Sequence, residues 1–208
     1  MAELNQPDFL QLIRHFLYDQ LYADSEAGSS SDHSTLPHFH GRISVYLSAI
    51  STFHASSDIS GVSGMRCEHI QATPSWKKGP PRYNCVFIIT DPAADRFLGL
   101  DVACVHLFFS INFCGMTYSC ALVQWMSHSS SKPDEDTGMW VVEPDFNTDG
   151  SPLMSIIHLD CILRAAHLIG VCSNDFLPKD LSFHHSLDTF RSFYVNKFID
   201  HHAFEIAF

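Results

Sequence analysis

Two histidine pairs, His184-His185 and His201-His202, stand near Asp188 and Asp200 in the last part of the chain. Imidazole and carboxylate groups ligate zinc and form 2-His-1-carboxylate centres, so the chemistry on offer would be metal-dependent hydrolysis. Such a site needs three or four ligands converging on one ion. The residues between the pairs read as a helix of about four turns, which sets its ends roughly 20 Å apart. The pairs then share no ion unless the helix breaks, and solvated helix flanks are the plainer reading. His158, Cys161, His167 and Cys172 form a second group. Their spacing matches no zinc finger, and the apolar neighbours Ile162, Leu163, Leu168 and Ile169 favour a core role. Two-metal phosphoryl transfer would need acids on neighbouring strands of a mixed sheet. Asp101 and Asp160 sit instead at the edges of elements read as antiparallel, and Glu143 and Asp145 are the other acids at hand. GxSxG, P-loop and GxGxxG motifs are absent. No catalytic residue, no metal site and no cofactor are expected.

Binding chemistry is better represented. In an acidic chain, Arg66 and the run Trp76-Lys77-Lys78-Gly79-Pro80-Pro81-Arg82-Tyr83 form one basic island. Arg66, Lys77, Lys78 and Arg82 are candidate contacts to a nucleic-acid backbone, with Trp76 and Tyr83 stacking on bases. A soluble Pro-rich connector is the structural alternative. Trp125 and Trp140, with Tyr118, lie on expected strands and are candidates for an aromatic interaction surface; a core role is the alternative there.

The elements that would position these residues are organised around Asp101–Ser127. Two apolar, β-branched and aromatic runs, Val102–Phe113 and Tyr118–Trp125, flank Cys114-Gly115-Met116, which reads as a β-hairpin. Neither face of its second arm is cleanly polar, so both sides are expected to be covered, as in a barrel or sandwich. Further strands are expected at Gly41–His54, Cys85–Thr90, Met139–Val142, Leu153–His158 and His167–Cys172. Met65–Ile70 and Asp160–Arg164 read as short helical turns. Pro7–Tyr22 repeats apolar residues at helical spacing. In the tail, Leu187, Phe190, Phe193, Tyr194 and Phe198 form a helical stripe, with Ser186 as N-cap. The expected fold is α+β: a small, mainly antiparallel β barrel or sandwich with flanking N- and C-terminal helices. The expected parts are an N-terminal helix (1–22), a Ser-rich linker (23–37), and a strand pair with the basic Pro-rich loop (38–82). The β-barrel domain (83–174) and the helical tail (175–208) follow.

Composition narrows the classes. Hydrophobic residues at 46% and 17 Phe in 208 residues make the chain globular. A net charge of −11 argues against phosphate-backbone binding by the surface as a whole. The seven cysteines include no CxxC pair, and MAELNQPDFLQ shows no basic-then-apolar leader, so reduced thiols inside the cell are expected. The apolar hairpin run is too short and too interrupted to be a membrane helix, and no membrane partner is expected.

The longest stretches carry a resemblance. SGVSGMRCEHIQATPSWKKGPPRYNCVFIITD, LGLDVACVHLFFS, CALVQW, KPDEDTGMWVVEPDF, SIIHLDCILRAAHLIGV and HHSLDTFRSFYVNKFIDHHAFEIAF resemble the C-terminal region of fungal Plavaka transposases, placed in or near the CACTA (En/Spm-like) superfamily. The resemblance covers most of the chain, from about Gln6 to Phe208. It implies an origin in a DNA transposon, a nuclear setting, and DNA or other parts of a transposase complex as partners. The acidic catalytic residues of such enzymes lie in an upstream RNase H-like region with no counterpart here, so no catalytic role carries over. The 83–172 block is similar to a small β domain that follows the catalytic region, and its strand pattern resembles, more loosely, BAH-like barrels of chromatin proteins. Cys67, Cys104, Cys114, Gln124 and Met126 depart from the pattern, standing where basic, small or aromatic residues are expected. An accessory DNA- or protein-binding module, a degenerate copy among the options, is therefore the leading expectation. A chromatin-reading barrel and a hydrolase using the histidine pairs are the alternatives.

Overall fold

A computed structural model describes residues 8–22, 36–55, 63–94, 96–172, 179 and 181–208. In chain order the elements are α1 (Phe9–Tyr22), β1 (Ile43–Tyr46), β2 (Ser48–His54), β3 (Met65–Thr73), β4 (Arg82–Tyr83) and β5 (Cys85–Ile89). The long pair β6 (Leu100–Phe113) and β7 (Met116–His128) follows, then β8 (Val141–Pro144), β9 (Met154–His158), β10 (Ile162–Ala166) and β11 (Leu168–Gly170). The chain ends with α2 (Ser186–Thr189), β12 (Phe193–Val195) and α3 (His201–Ile206). The linker expected at 23–37 lies almost wholly outside the described residues.

The hairpin forms as the sequence pattern requires, and its turn is tighter than the three-residue gap. Cys114 and Gly115 are its two central residues, both at positive φ (49° and 79°). That is the backbone of a type I′ turn, whose twist matches the strands it joins. Around the hairpin, seven strands are bonded in the order β10-β5-β6-β7-β8-β12-β11, with β1 added to β6 and β9 to β7. All these pairings are antiparallel. The two ends of that path, β10 and β11, are separated in sequence by His167 alone. The sheet must therefore curl until its edges nearly meet, giving an almost closed barrel. β2, β3 and β4 form a second, three-stranded ribbon.

The inner face of the hairpin carries two apolar clusters. Val102, Cys104 and Met126 pack with Phe97, Trp140, Val142 and Phe193 at one end. Leu107, Phe109, Ile111, Tyr118, Cys120 and Leu122 pack at the other end against Ile13, Phe16 and Leu17 of α1. On the opposite face, Ala103, Val105, Ala121 and Val123 meet Ile70 and Ala72 of β3. Helix α1 thus stoppers one end of the curled sheet with its apolar stripe.

Three local expectations are corrected. Met65–Ile70 is not a helical turn but the start of β3, whose side chains alternate exposed and half-buried along β2. A period of two with a long-range partner overrides the local reading. Asp160–Arg164 divides into a 3-10 turn (Leu159–Cys161) and the strand β10. The tail is not one helix: Phe193–Val195 pairs with both β8 and β11, buries Phe193 and Val195, and separates α2 from α3. Aromatic and β-branched residues fit that slot better than a helix exposing half of them.

Candidate functional site

A β-bulge sets the site. Along β6 and β7, Val105 faces Val123 but Leu107 faces Leu122, so His106 is the extra residue. The bulge sits where β6 changes partner, from β5 below to β1 above. Such bulges re-aim a side chain out of the ladder. His106 turns with Cys104 and Gln124 into the polar break between the two inner clusters.

An open groove of about 1450 Å³ lies over that break. Its floor is Cys104, His106, Gln124 and Met126. One wall is Trp76 and Pro80 to Asn84; the other comes from Glu143, Pro144 and Phe146 and from His184 and residues 186–191. Phe190 holds that second wall in place. A Cβ on Gly170 of β11 would lie 2.4 Å from the Phe190 ring, so only glycine lets the ring sit there.

Electrostatically the floor is a small network. Tyr83 stacks on the His106 ring at 5.6 Å. Hydrogen bonding from Cys85, its cross-strand neighbour, draws the Cys104 thiol down to about 6 against the resistance of burial, with His106 adding to the effect and Asp188 opposing it. Cys85 is correspondingly raised by its bond to Cys104 and by burial. Burial works against charge on His106, yet Cys104, Gln124 and Asp188 together raise its pKa. The two shifts run in the directions that favour charge on both groups, Cys104 lowered and His106 raised.

The lip of the groove is the basic island. Gly79 N–H donates to the Trp76 carbonyl across a turn whose central residues, Lys77 and Lys78, both have positive φ (50° and 65°). The Lys77 ammonium lies 5.4 Å from the Trp76 ring centre and the Arg82 guanidinium 5.1 Å. Trp76, Lys77, Lys78, Arg82 and Tyr83 are therefore brought together. Arg66 is not: it lies near the start of β3 and lines a separate small pocket with Phe53, Glu68 and Arg164.

Trp125 and Trp140 do not make one surface. Trp140 is 6% exposed, packed on Phe97 and His128, and Trp125 joins the cluster on the other face. The helix argument for the histidine pairs falls with the helix, and the ligands still do not converge. His202 stacks on Phe53 at 4.7 Å, and His184 contacts His185 at 3.9 Å. Among the described residues no group of three His, Cys, Asp or Glu is placed to hold a metal ion.

Two features escaped the sequence reading. One is the thiol–imidazole floor, whose only linear signal is Cys104 and His106 two apart on a strand. The other is Arg164, 2% exposed on β10. Its Nη1 and Nη2 donate to the Asp200 carboxylate at 2.8 and 2.6 Å, and Nη2 also to Glu68 at 3.0 Å. Asp200 caps α3 through the Ala203 N–H. This knot ties the ribbon, the barrel and the C-terminal helix.

Comparison with protein-family models, with curated proteins and with solved structures finds no match to the chain. Among the described residues no helix is long and apolar enough to cross a membrane.

Proposed function

We propose that this chain is a non-catalytic accessory module of a Plavaka-type DNA transposase, acting in the nucleus, whose groove and basic lip bind nucleic acid within a transposition complex. The observation that carries the binding role is the lip itself. A tryptophan with two cations near its ring stands at a turn of two left-handed lysines, beside a groove with Tyr83, Phe146 and Phe190 in its walls. Rings that stack on bases and cations that follow phosphates are the means by which single strands are held without sequence preference.

The transposase origin rests on the sequence resemblance. Two of the quoted blocks also carry residues of the Arg164 knot. HLDCILRAAHLIGV supplies Arg164 and the β10–β11 junction, and VNKFIDHHAFEIAF supplies Asp200 and His202. Fluorescence anisotropy with element-end duplexes, random duplexes and single strands, at two salt concentrations, tests the role. Salt-sensitive binding with preference for single strands or element ends supports it. No binding at low salt overturns it.

A protein-binding barrel of the chromatin-reading kind is the second reading. It is favoured by the net charge of −11 and by Glu143 and Asp188 in the groove wall, which suit a basic peptide. Such a ligand would meet Trp76 rather than Trp125 and Trp140. Tryptophan fluorescence unchanged by histone-tail peptides would eliminate it.

A further inference from the structure

Cys85 and Cys104 are directly opposed on β5 and β6. The Val105 N–H donates to the Asn84 carbonyl at 3.0 Å, which makes that neighbouring pair the hydrogen-bonded one. Cys85 and Cys104 are therefore a non-hydrogen-bonded pair, the close type, with Cα atoms about 4.5 Å apart. That lies at the short end of the span a disulfide bridges. Both thiols are free, and Cys104 lines the groove while Cys85 lies behind it.

We propose that Cys104 and Cys85 form a peroxide-reactive dithiol that closes to a cross-strand disulfide in the floor of the groove. The Cys104 thiolate attacks one oxygen of a hydroperoxide: the S–O bond forms, the O–O bond breaks, and the departing oxygen takes a proton from the His106 imidazolium. Cys104 becomes a sulfenic acid. Cys85 then attacks that sulfur, the S–S bond forms, and hydroxide leaves with the Cys85 proton as water. Two thiols are oxidised by two electrons and the peroxide is reduced to an alcohol, or to water in the case of hydrogen peroxide.

The surroundings suit the attacking role to Cys104. Cys85 from β5, His106 from β6, Gln124 from β7, Tyr83 from β4 and Asp188 from α2 face it. Cys85 and His106 stabilise the thiolate, while burial and Asp188 oppose it. Reactivity follows thiolate character as well as exposure. The assignment stands whether or not the groove holds nucleic acid.

The full chain supplies its own controls, since Cys67, Cys114 and Cys172 are exposed. Equimolar hydrogen peroxide at pH 7 should remove two hydrogens from the intact mass and yield a Cys85–Cys104 linked peptide before the exposed cysteines change. In C85S the reaction should stop at a sulfenic acid on Cys104 that dimedone traps. In H106Q the rate should fall about tenfold, as the thiolate fraction at neutral pH falls. Oxidation of Cys67, Cys114 or Cys172 ahead of Cys104, or linkage without Cys85 and Cys104, overturns the proposal. This order is read on the unmodified chain, so it decides the matter even if a variant does not fold.

Discussion

Lys77 and Lys78 hold a left-handed conformation that costs a side-chain-bearing residue about 1 kcal/mol or more. Asn-Gly is the pair such a turn prefers. K77N/K78G should therefore raise stability by about 1 kcal/mol in urea melts while removing two cations from the lip. The same variant should bind single strands more weakly, with a log–log salt slope shallower by roughly 1.4. A neutral surface loop would show the gain in stability without the loss in binding. At the Arg164 knot the balance is opposite. Bonding to Arg164 holds the Asp200 carboxyl down to about 2, from an ordinary 3.8. A carboxylate lowered on folding stabilises fully above its unfolded pKa, so its contribution should fade as pH falls from about 4 towards 2. His202, lowered by burial and by Arg164, adds acid sensitivity that begins below about 6.5, where the unfolded histidine protonates. Asp200→Asn should cost about 3 kcal/mol at pH 7 and flatten the acid limb of a stability–pH profile.

At the scale of elements, what was legible followed from periodicity. The arms of β6 and β7 are long and alternating, and α1 has a clean apolar stripe, so both were expected where they are found. The tail was not legible because β12 is three residues long and its aromatic residues also satisfy a helical repeat. Only the open slot between β8 and β11 decides between the two, and that slot is built by residues far away in sequence. The site was partly legible for the same reason. Trp76 to Tyr83 are contiguous, so their clustering is local. Cys104, His106, Gln124 and Asp188 meet through a bulge and a long-range wall, neither of which a linear pattern encodes. The packing of α1 carries its own test. Leu17 is fully buried against the inner face, so Leu17→Ala should cost about 3 kcal/mol. The melt should remain a single transition if helix and barrel unfold together.

Across the whole molecule, charge and shape point in different directions, and the binding account depends on which prevails. A chain of net charge −11 repels duplex DNA over most of its surface. Attraction must therefore be local, at one lip, and strongly damped by salt. The barrel positions that lip without using it: the β6–β7 hairpin sets the floor, β3 and β4 carry the basic turn, and Phe190 over Gly170 fixes the far wall. Whole-chain affinity alone would not locate the site. The most direct measurement is an NMR titration of the labelled chain with a short single-stranded oligonucleotide at low salt. Shifts confined to the Trp76 indole, Tyr83, His106 and the 186–191 backbone are predicted. Shifts centred elsewhere on the barrel, or none, would contradict the assignment of this groove as the nucleic-acid site.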